Sequence, residues 1–262
     1  MDLGIRGRKA IVNGGSAGLG RASALALARE GVELFVSARG EARLMAACEA
    51  ISKETGAKIT PIVADHGTDA GRETILGLCP EPDILVATCS PPPYTDDFRQ
   101  ISVEQWRATL DNALLSPIQY MQAVVDGMAA RKFGRIVNIA AAAAKYPNII
   151  RVLSGAPRAA LANYCVGLAR VVAKDNVTIN TVLPAMHHTD GIRAIYEERG
   201  ARAGRGYDEE VAVQVKALGI PAGKFGDAED AGAFVAMFCS AQANYVTGQS
   251  LVIDGGVSKS IY

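Results

Sequence analysis

The chain alternates between short apolar runs and longer amphipathic stretches, and this alternation restricts the fold more than any other feature. Each apolar run predicts a buried strand, and helical stretches of about ten or more residues separate several of them. Strands joined by such helices form right-handed crossovers within a parallel sheet that is covered on both faces. We therefore expect a three-layer, doubly wound α/β fold with a parallel sheet of about seven strands. The predicted strands are 9–12, 32–36, 58–63, 84–86, 136–139, 177–180 and 250–253.

Predicted helices fill the intervals between these strands. Ser102 and Gln105 form a capping box before the longest of them, and Asp227 is placed to cap the last. No linker, low-complexity segment or repeat interrupts the pattern, so we expect a single domain over 1–262. The predicted helices are 21–30, 42–54, 103–130, 190–217 and 228–239.

Composition argues against several classes of function. The 27 basic residues balance the 27 acidic ones, so no overall field favours nucleic acid or an anionic membrane. No run of about 18 apolar residues occurs, and we expect a cytoplasmic protein without a membrane span. The cysteines have neither C-x-x-C pairs nor metal-ligand spacing, which predicts free thiols and no metal site. They are Cys48, Cys79, Cys89, Cys165 and Cys239.

A glycine-rich turn with the sequence N-G-G-S-A-G-L-G joins the first predicted strand to the first helix. Glycine permits a tight turn and close approach of a ligand to the backbone. The exposed N–H groups and the helix N-terminus favour a pyrophosphate, so this position predicts a dinucleotide site. The expected contacts are Gly14, Ser16, Gly18, Leu19 and Gly20.

The spacing G-x-x-x-G-x-G in this turn resembles the short-chain dehydrogenase/reductase family. Other motifs of that family follow in the same order over nearly the whole chain. They are Asp65 after the third strand, Asn112 in mid-helix, 134–139, 180–185 followed by Thr189, and 245–249 with 254–256.

This resemblance implies a Rossmann-type fold that binds a nicotinamide dinucleotide. It implies that Asp65 contacts the adenine and Thr189 the carboxamide. It also implies a homo-oligomer, either tetramer or dimer, and a small-molecule substrate under a lid at about 189–223. The lid segment mixes apolar and charged residues without indicating a particular ligand.

The end of the second predicted strand decides between NAD and NADP. The segment Ser37-Ala38-Arg39 contains no acidic residue that would bind the ribose hydroxyls of NAD. Arg39 suits a 2′-phosphate because its planar fork donates two charge-assisted hydrogen bonds. A solvated surface arginine is the alternative interpretation. We therefore expect NADP(H), with NAD less favoured.

The resemblance also implies catalysis by Ser, Tyr and Lys with a supporting Asn, and here the sequence departs from the family. Ala141, Ser154 and Arg158 occupy the first three positions, and Asn112 keeps the fourth. A serine hydroxyl is a much weaker acid than a phenol, and arginine cannot relay protons at neutral pH. The expected catalytic residues are therefore Asn112, Ser154 and Arg158. We expect ketoreduction to be roughly 10²–10⁴-fold slower than with the family's usual residues.

Other residues at the same edge are candidates for a replacement proton donor, each with a surface or packing role as the alternative. They are Tyr94, Lys145, Tyr146, His187 and His188. The leading interpretation is an NADP(H)-dependent oxidoreductase for a carbonyl or alcohol, of the 3-oxoacyl carrier-protein reductase type implied by the resemblance. The alternative is a cofactor-binding homologue with little or no turnover, a sensor or scaffold. A lyase or isomerase has no specific support in the sequence.

Overall fold

Seven parallel strands form the central sheet in the order β3-β2-β1-β4-β5-β6-β9 in the computed structural model, which describes residues 1–259. The chain order reverses beside β1, which pairs with both β2 and β4. Such a reversal opens a crevice at the carboxyl ends of the strands, where α/β sheets bind ligands. The strands are β1 Lys9–Asn13, β2 Glu33–Ala38, β3 Ile59–Val63, β4 Ile84–Thr88, β5 Gly134–Ile139, β6 Val177–Pro184 and β9 Ser250–Ile253.

Helices cover both faces of this sheet. One hydrophobic core lies between the sheet and α1, α2 and α9, and a second lies between the sheet and α3, α5 and α6. The predicted three-layer, doubly wound fold is therefore confirmed. The helices are α1 Gly18–Arg29, α2 Glu41–Thr55, α3 Asp69–Leu78, α4 Val103–Leu110, α5 Ser116–Ala130, α6 Val152–Val172, α7 Asp190–Arg202, α8 Tyr207–Leu218 and α9 Ala228–Cys239.

Three details differ from the predicted helices. A π-helical turn at Asp111–Leu115 separates α4 from α5, so the predicted helix 103–130 is interrupted. The predicted helix 190–217 is two helices, because Gly204 takes a left-handed conformation with φ of 68° between them. Asp227 does occupy the N-cap of α9, but its side chain makes no cap bond. The carboxylate instead accepts a hydrogen bond from Lys224 at 3.1 Å.

The sequence prediction missed α3 entirely. Gly71 and Gly77 lie inside it and lower its helix propensity. Packing requires the first of these glycines, because a Cβ on Gly71 would lie 2.0 Å from the carbonyl oxygen of Asp65. Thr68 caps the helix by accepting a hydrogen bond from Gly71 N at 3.1 Å.

The segment at 189–223 has a small hydrophobic core of its own, in which Tyr196 and Val211 pack with Ile220 and Phe225. A two-stranded parallel sheet, β7 His187–His188 and β8 Gly226–Asp227, closes the base of this segment. Within 1–259, no helix combines the length and the apolar character that crossing a membrane requires.

Candidate active site

The glycine turn between β1 and α1 is built around positions that exclude side chains. Gly14 and Gly18 adopt φ of 68° and 53°, in the left-handed region. A Cβ on Gly20 would lie 2.4 Å from the carbonyl oxygen of Gly14. Ser16 is buried in the turn, and Leu19 packs against the first core. The glycine pattern is therefore a requirement of the turn itself.

The N-terminus of α1 is free to meet an anion. Its N-cap residue, Ala17, makes no side-chain cap bond, and the first turn holds no acidic residue. The first N–H groups of a helix lack intrahelical partners, and the helix dipole adds positive potential there. The turn thus presents hydrogen-bond donors and positive potential that suit a phosphate.

Arg39 and Asp65 meet where β2 and β3 end side by side. The Arg39 Nη1 atom lies 3.8 Å from Asp65 Oδ2, a contact that the sequence did not predict. The Arg39 side chain is 70 % exposed, so this ion pair contributes little stability and leaves the guanidinium able to turn to a phosphate. Asp65 also accepts a hydrogen bond from Gly67 N, which fixes the carboxylate at the sheet edge.

Thr189 faces the glycine turn from the opposite side. Its methyl group would lie 3.5 Å from a Cβ on Gly18, and its hydroxyl caps α7 by accepting from Ile192 N at 3.2 Å. A pocket of about 860 Å³ lies between the starts of α1, α7 and α9 and is lined by Gly18, Thr189 and Asp227, among others. Residues 171 positions apart in the chain therefore meet around one opening.

Ser154 and Arg158 lie one turn apart on α6 and are hydrogen-bonded to each other. Arg158 Nη1 donates to Ser154 Oγ at 3.1 Å and to the Ser154 carbonyl at 3.2 Å. Arg158 Nη2 lies 3.0 Å from the sulfur of Cys89, in the segment after β4. Arg158 is 3 % exposed, and its Nε atom has no hydrogen-bond partner. A buried guanidinium therefore lies at the position where the resemblance predicts the catalytic lysine.

Asn112 and Arg158 line the same small cavity. Asn13 and Thr88, next to the glycine turn, line it as well. Asn112 belongs to the π-helical turn, where its Nδ2 donates to the Ala108 carbonyl at 2.9 Å. Two of the three predicted catalytic residues, Asn112 and Arg158, therefore line one cavity beside the residues that flank the glycine turn.

The alanine run after β5 packs closely against α6. Ala141 precedes a short 3₁₀ helix, Ala142–Ala144. A Cβ on Gly155 would lie 2.6 Å from the carbonyl oxygen of Ala143. The small side chains thus let the backbone of this loop approach the start of α6.

The two histidines have structural partners. Burial lowers the pKa of His187, whose Nδ1 lies 3.3 Å from the Ala185 carbonyl and whose ring packs on Gly226. His188 Nδ1 pairs with the Tyr207 hydroxyl at 2.7 Å. The His187 ring therefore contacts β8, and the His188 ring contacts α8, at the base of the 189–223 segment.

The remaining proton-donor candidates lie in loops. Lys145 lies 6.0 Å from the ring centroid of Tyr146. Tyr94 accepts a hydrogen bond from Arg151, whose guanidinium stacks 3.6 Å above the tyrosine ring. Sequence reasoning missed Arg151, although its spacing of three residues from Ser154 and seven from Arg158 was a usable signal.

Comparison with known proteins identifies the family. The family model described as enoyl-(acyl carrier protein) reductase matches residues 14–258. The 3-oxoacyl-[acyl-carrier-protein] reductase FabG of Escherichia coli K12 is 30 % identical over 261 residues, covering 97 % of this chain and 99 % of that protein. The NADPH-dependent reductase BacG of Bacillus subtilis 168 is 29 % identical over 259 residues, covering 97 % and 99 %.

A solved structure agrees with these relatives. The L-sorbose reductase of Gluconobacter frateurii, complexed with NADPH and L-sorbose, superposes with a TM-score of 0.95 and 25 % identity over the whole of both chains. The range matched by the family model extends from the glycine turn to beyond β9. The chain therefore belongs to the short-chain dehydrogenase/reductase family of oxidoreductases.

Proposed function

We propose that the protein is an NADP(H)-dependent oxidoreductase that interconverts a carbonyl and an alcohol on a small-molecule substrate. The observation that carries the proposal is the glycine turn together with Arg39, which stands at the end of β2 where NAD-specific sites need an acid. The NADPH-dependent relative and the NADPH complex of the structural neighbour support the same cofactor.

The residues present fit this cofactor. The left-handed glycines and the uncapped start of α1 would hold the pyrophosphate, with Gly14, Ser16, Gly18, Leu19 and Gly20 as contacts. Arg39 would bind the 2′-phosphate, Asp65 the adenine and Thr189 the carboxamide. When bound, the nicotinamide supplies or accepts the hydride.

Ser154 and Arg158 would act on the substrate carbonyl. Because Ser154 Oγ accepts from Arg158, its O–H stays available to donate a hydrogen bond to the carbonyl oxygen. The guanidinium places a fixed positive charge beside the oxygen that becomes negative during reduction. Neither group is an effective acid at neutral pH, so the chain contributes charge stabilisation and orientation while solvent supplies the proton.

Asn112 and the segment at 189–223 have further roles in the proposed site around Ser154 and Arg158. Asn112, which lines the same cavity as Arg158, would help to position the nicotinamide end and the substrate. We further propose that α7 and α8 form a substrate lid at about 189–223 on a single domain, and that the protein is a homo-oligomer. This arrangement favours turnover over a purely cofactor-sensing role, because Arg158 is buried where charge would develop.

A screen of ketones and alcohols, following the absorbance of reduced cofactor, tests the proposal. We expect measurable turnover with NADPH and slower turnover with NADH at equal concentrations. Tight NADPH binding without turnover of any substrate would contradict the oxidoreductase and favour the sensor or scaffold.

Replacing Arg39 with aspartate is expected to reverse cofactor preference. The change removes charge-assisted hydrogen bonds worth about 1.5–3 kcal/mol each and adds a like charge, so the preference for NADPH over NADH should fall by at least about 100-fold. Calorimetric Kd values for both cofactors measure this. The control is Arg43→Ala, an exposed arginine on α2, which should keep the preference. An unchanged preference in Arg39→Asp would show that the phosphate binds elsewhere.

A further inference from the structure

Arg151 is the N-cap residue of α6, the helix that carries Ser154 and Arg158. Residues at i, i+3 and i+7 lie toward one side of a helix. With a rise of about 1.5 Å per residue, the three positions span about 10 Å along the helix axis. Ser154 therefore stands between two arginines along the chain at the start of α6.

Neither guanidinium has a neutralising partner in the described part of the chain. Between residues 1 and 259, no carboxylate forms an ion pair with Arg151 or Arg158. Arg158 lines the cavity but is only 3 % exposed. Its Nε atom has no hydrogen-bond partner. Burying an unpaired charge costs several kcal/mol, so this environment favours an incoming anion.

A phenol, not an acid, lies against Arg151. The Tyr94 hydroxyl accepts a hydrogen bond from the guanidinium, which also stacks 3.6 Å above the Tyr94 ring. Tyr94 comes from the segment after β4, so two separate parts of the chain meet at this arginine. Burial lowers the pKa of the Arg151 guanidinium, an effect that Tyr94 and Tyr196 oppose and the Arg158 charge reinforces. Phenol hydroxyls can donate to the same anion that the guanidinium binds.

The start of α6 adds positive potential at this place. Arg151 is the N-cap residue, its side chain makes no cap bond, and the first turn contains no acid. The helix has 21 residues, so its dipole is fully developed at the N-terminus. The positive end of the helix therefore adds to the charge of Arg151 at the start of α6.

We propose that the substrate carries a carboxylate, which Arg151 and Tyr94 bind while the reacting carbonyl lies at Ser154. The substrate class is then small oxo acids and the corresponding hydroxy acids. A planar guanidinium matches a carboxylate through two parallel hydrogen bonds. In the reduction, the carbonyl carbon gains a hydride from NADPH and the oxygen gains a solvent proton, which leaves the hydroxy acid and NADP⁺. This inference rests on the proposed function.

Binding to the NADP⁺-loaded protein tests the carboxylate site without turnover, since oxidised cofactor cannot reduce an oxo acid. Calorimetric titration compares acetoacetate and its longer 3-oxo homologues, each with its own methyl ester. We expect the acids to bind at least about tenfold more tightly than the esters. Arg151→Gln should abolish this difference, and Arg151→Lys should keep part of it. The matched control is Arg99→Ala, because Arg99 is exposed and paired with Asp97.

The outcomes separate this inference from the proposed function. If neutral ketones are reduced with NADPH but no acid binds more tightly than its ester, the carboxylate site is overturned and the oxidoreductase stands. If acids bind in an Arg151-dependent way and no substrate is reduced, the carboxylate site stands and the proposed function fails. Should Arg151→Gln fail to fold, the comparison of acid with ester on the unmodified protein still decides.

Discussion

Replacing Arg158 with methionine is expected to lower kcat/KM by about 10²–10³-fold, the usual effect of removing one preorganised charge-stabilising donor. The guanidinium is fixed by Ser154 and Cys89 and would lie beside the oxygen that becomes negative. Initial rates with NADPH and the best substrate of the screen measure the loss. Arg158→Lys keeps the charge but loses the planar fork, so its rate should be intermediate.

The same substitution is expected not to lower thermal stability. Arg158 is buried without a carboxylate partner, and replacing a buried charge with an apolar side chain of similar volume is often neutral or stabilising. Arg170→Met, an exposed position on the same helix, is the control and should leave both rate and Tm unchanged. A rate equal to that of the unmodified enzyme in Arg158→Met would remove Arg158 from the mechanism.

The layout of the fold was predictable from local patterns because each strand of a parallel sheet buried on both faces is a continuous apolar run. The features that could not be predicted from the sequence depend on tertiary contacts. The α3 helix escaped prediction because Gly71 is kept for its packing against Asp65, at the expense of helix propensity. In the π-helical turn that carries Asn112, the backbone hydrogen bonds connect residues five apart instead of four. This local change has no hydrophobic periodicity by which the sequence could reveal it.

The candidate site also has a part that could be predicted from the sequence and a part that could not. The glycine turn was predictable because its residues are consecutive and their conformations demand glycine. The partners of Arg158 and Arg151 were not, because Cys89 lies 69 residues from the first and Tyr94 lies 57 residues from the second. Only the folded chain brings the segment after β4 against the start of α6. Arg39 was predicted because it follows the second strand in the sequence. Its contact with Asp65 could not be predicted without knowing that β2 pairs with β3.

Restoring the family's residues should produce the largest gain in rate. We expect the triple variant Ala141→Ser, Ser154→Tyr and Arg158→Lys to raise kcat for neutral ketones by about 10²–10⁴-fold, the usual contribution of a positioned acid. Asn112 is already present, so the triple variant would complete the set of four residues that the resemblance implies. The shorter lysine would also release the thiol of Cys89.

The gain should require all three changes together, because residues that act as a unit are strongly non-additive. Ser154→Tyr alone places a phenol against a guanidinium that cannot relay protons, so its gain should be small. The sharpest control is the same triple variant with Phe at position 154, which adds the ring without the acidic hydroxyl and should stay near the original rate. The phenol must titrate for catalysis, so the pH profile of kcat/KM in the Tyr variant should acquire an ionisation that the Phe variant lacks. A triple variant that binds NADPH with unchanged Kd but gains no rate would show that the missing acid is not what limits this active site.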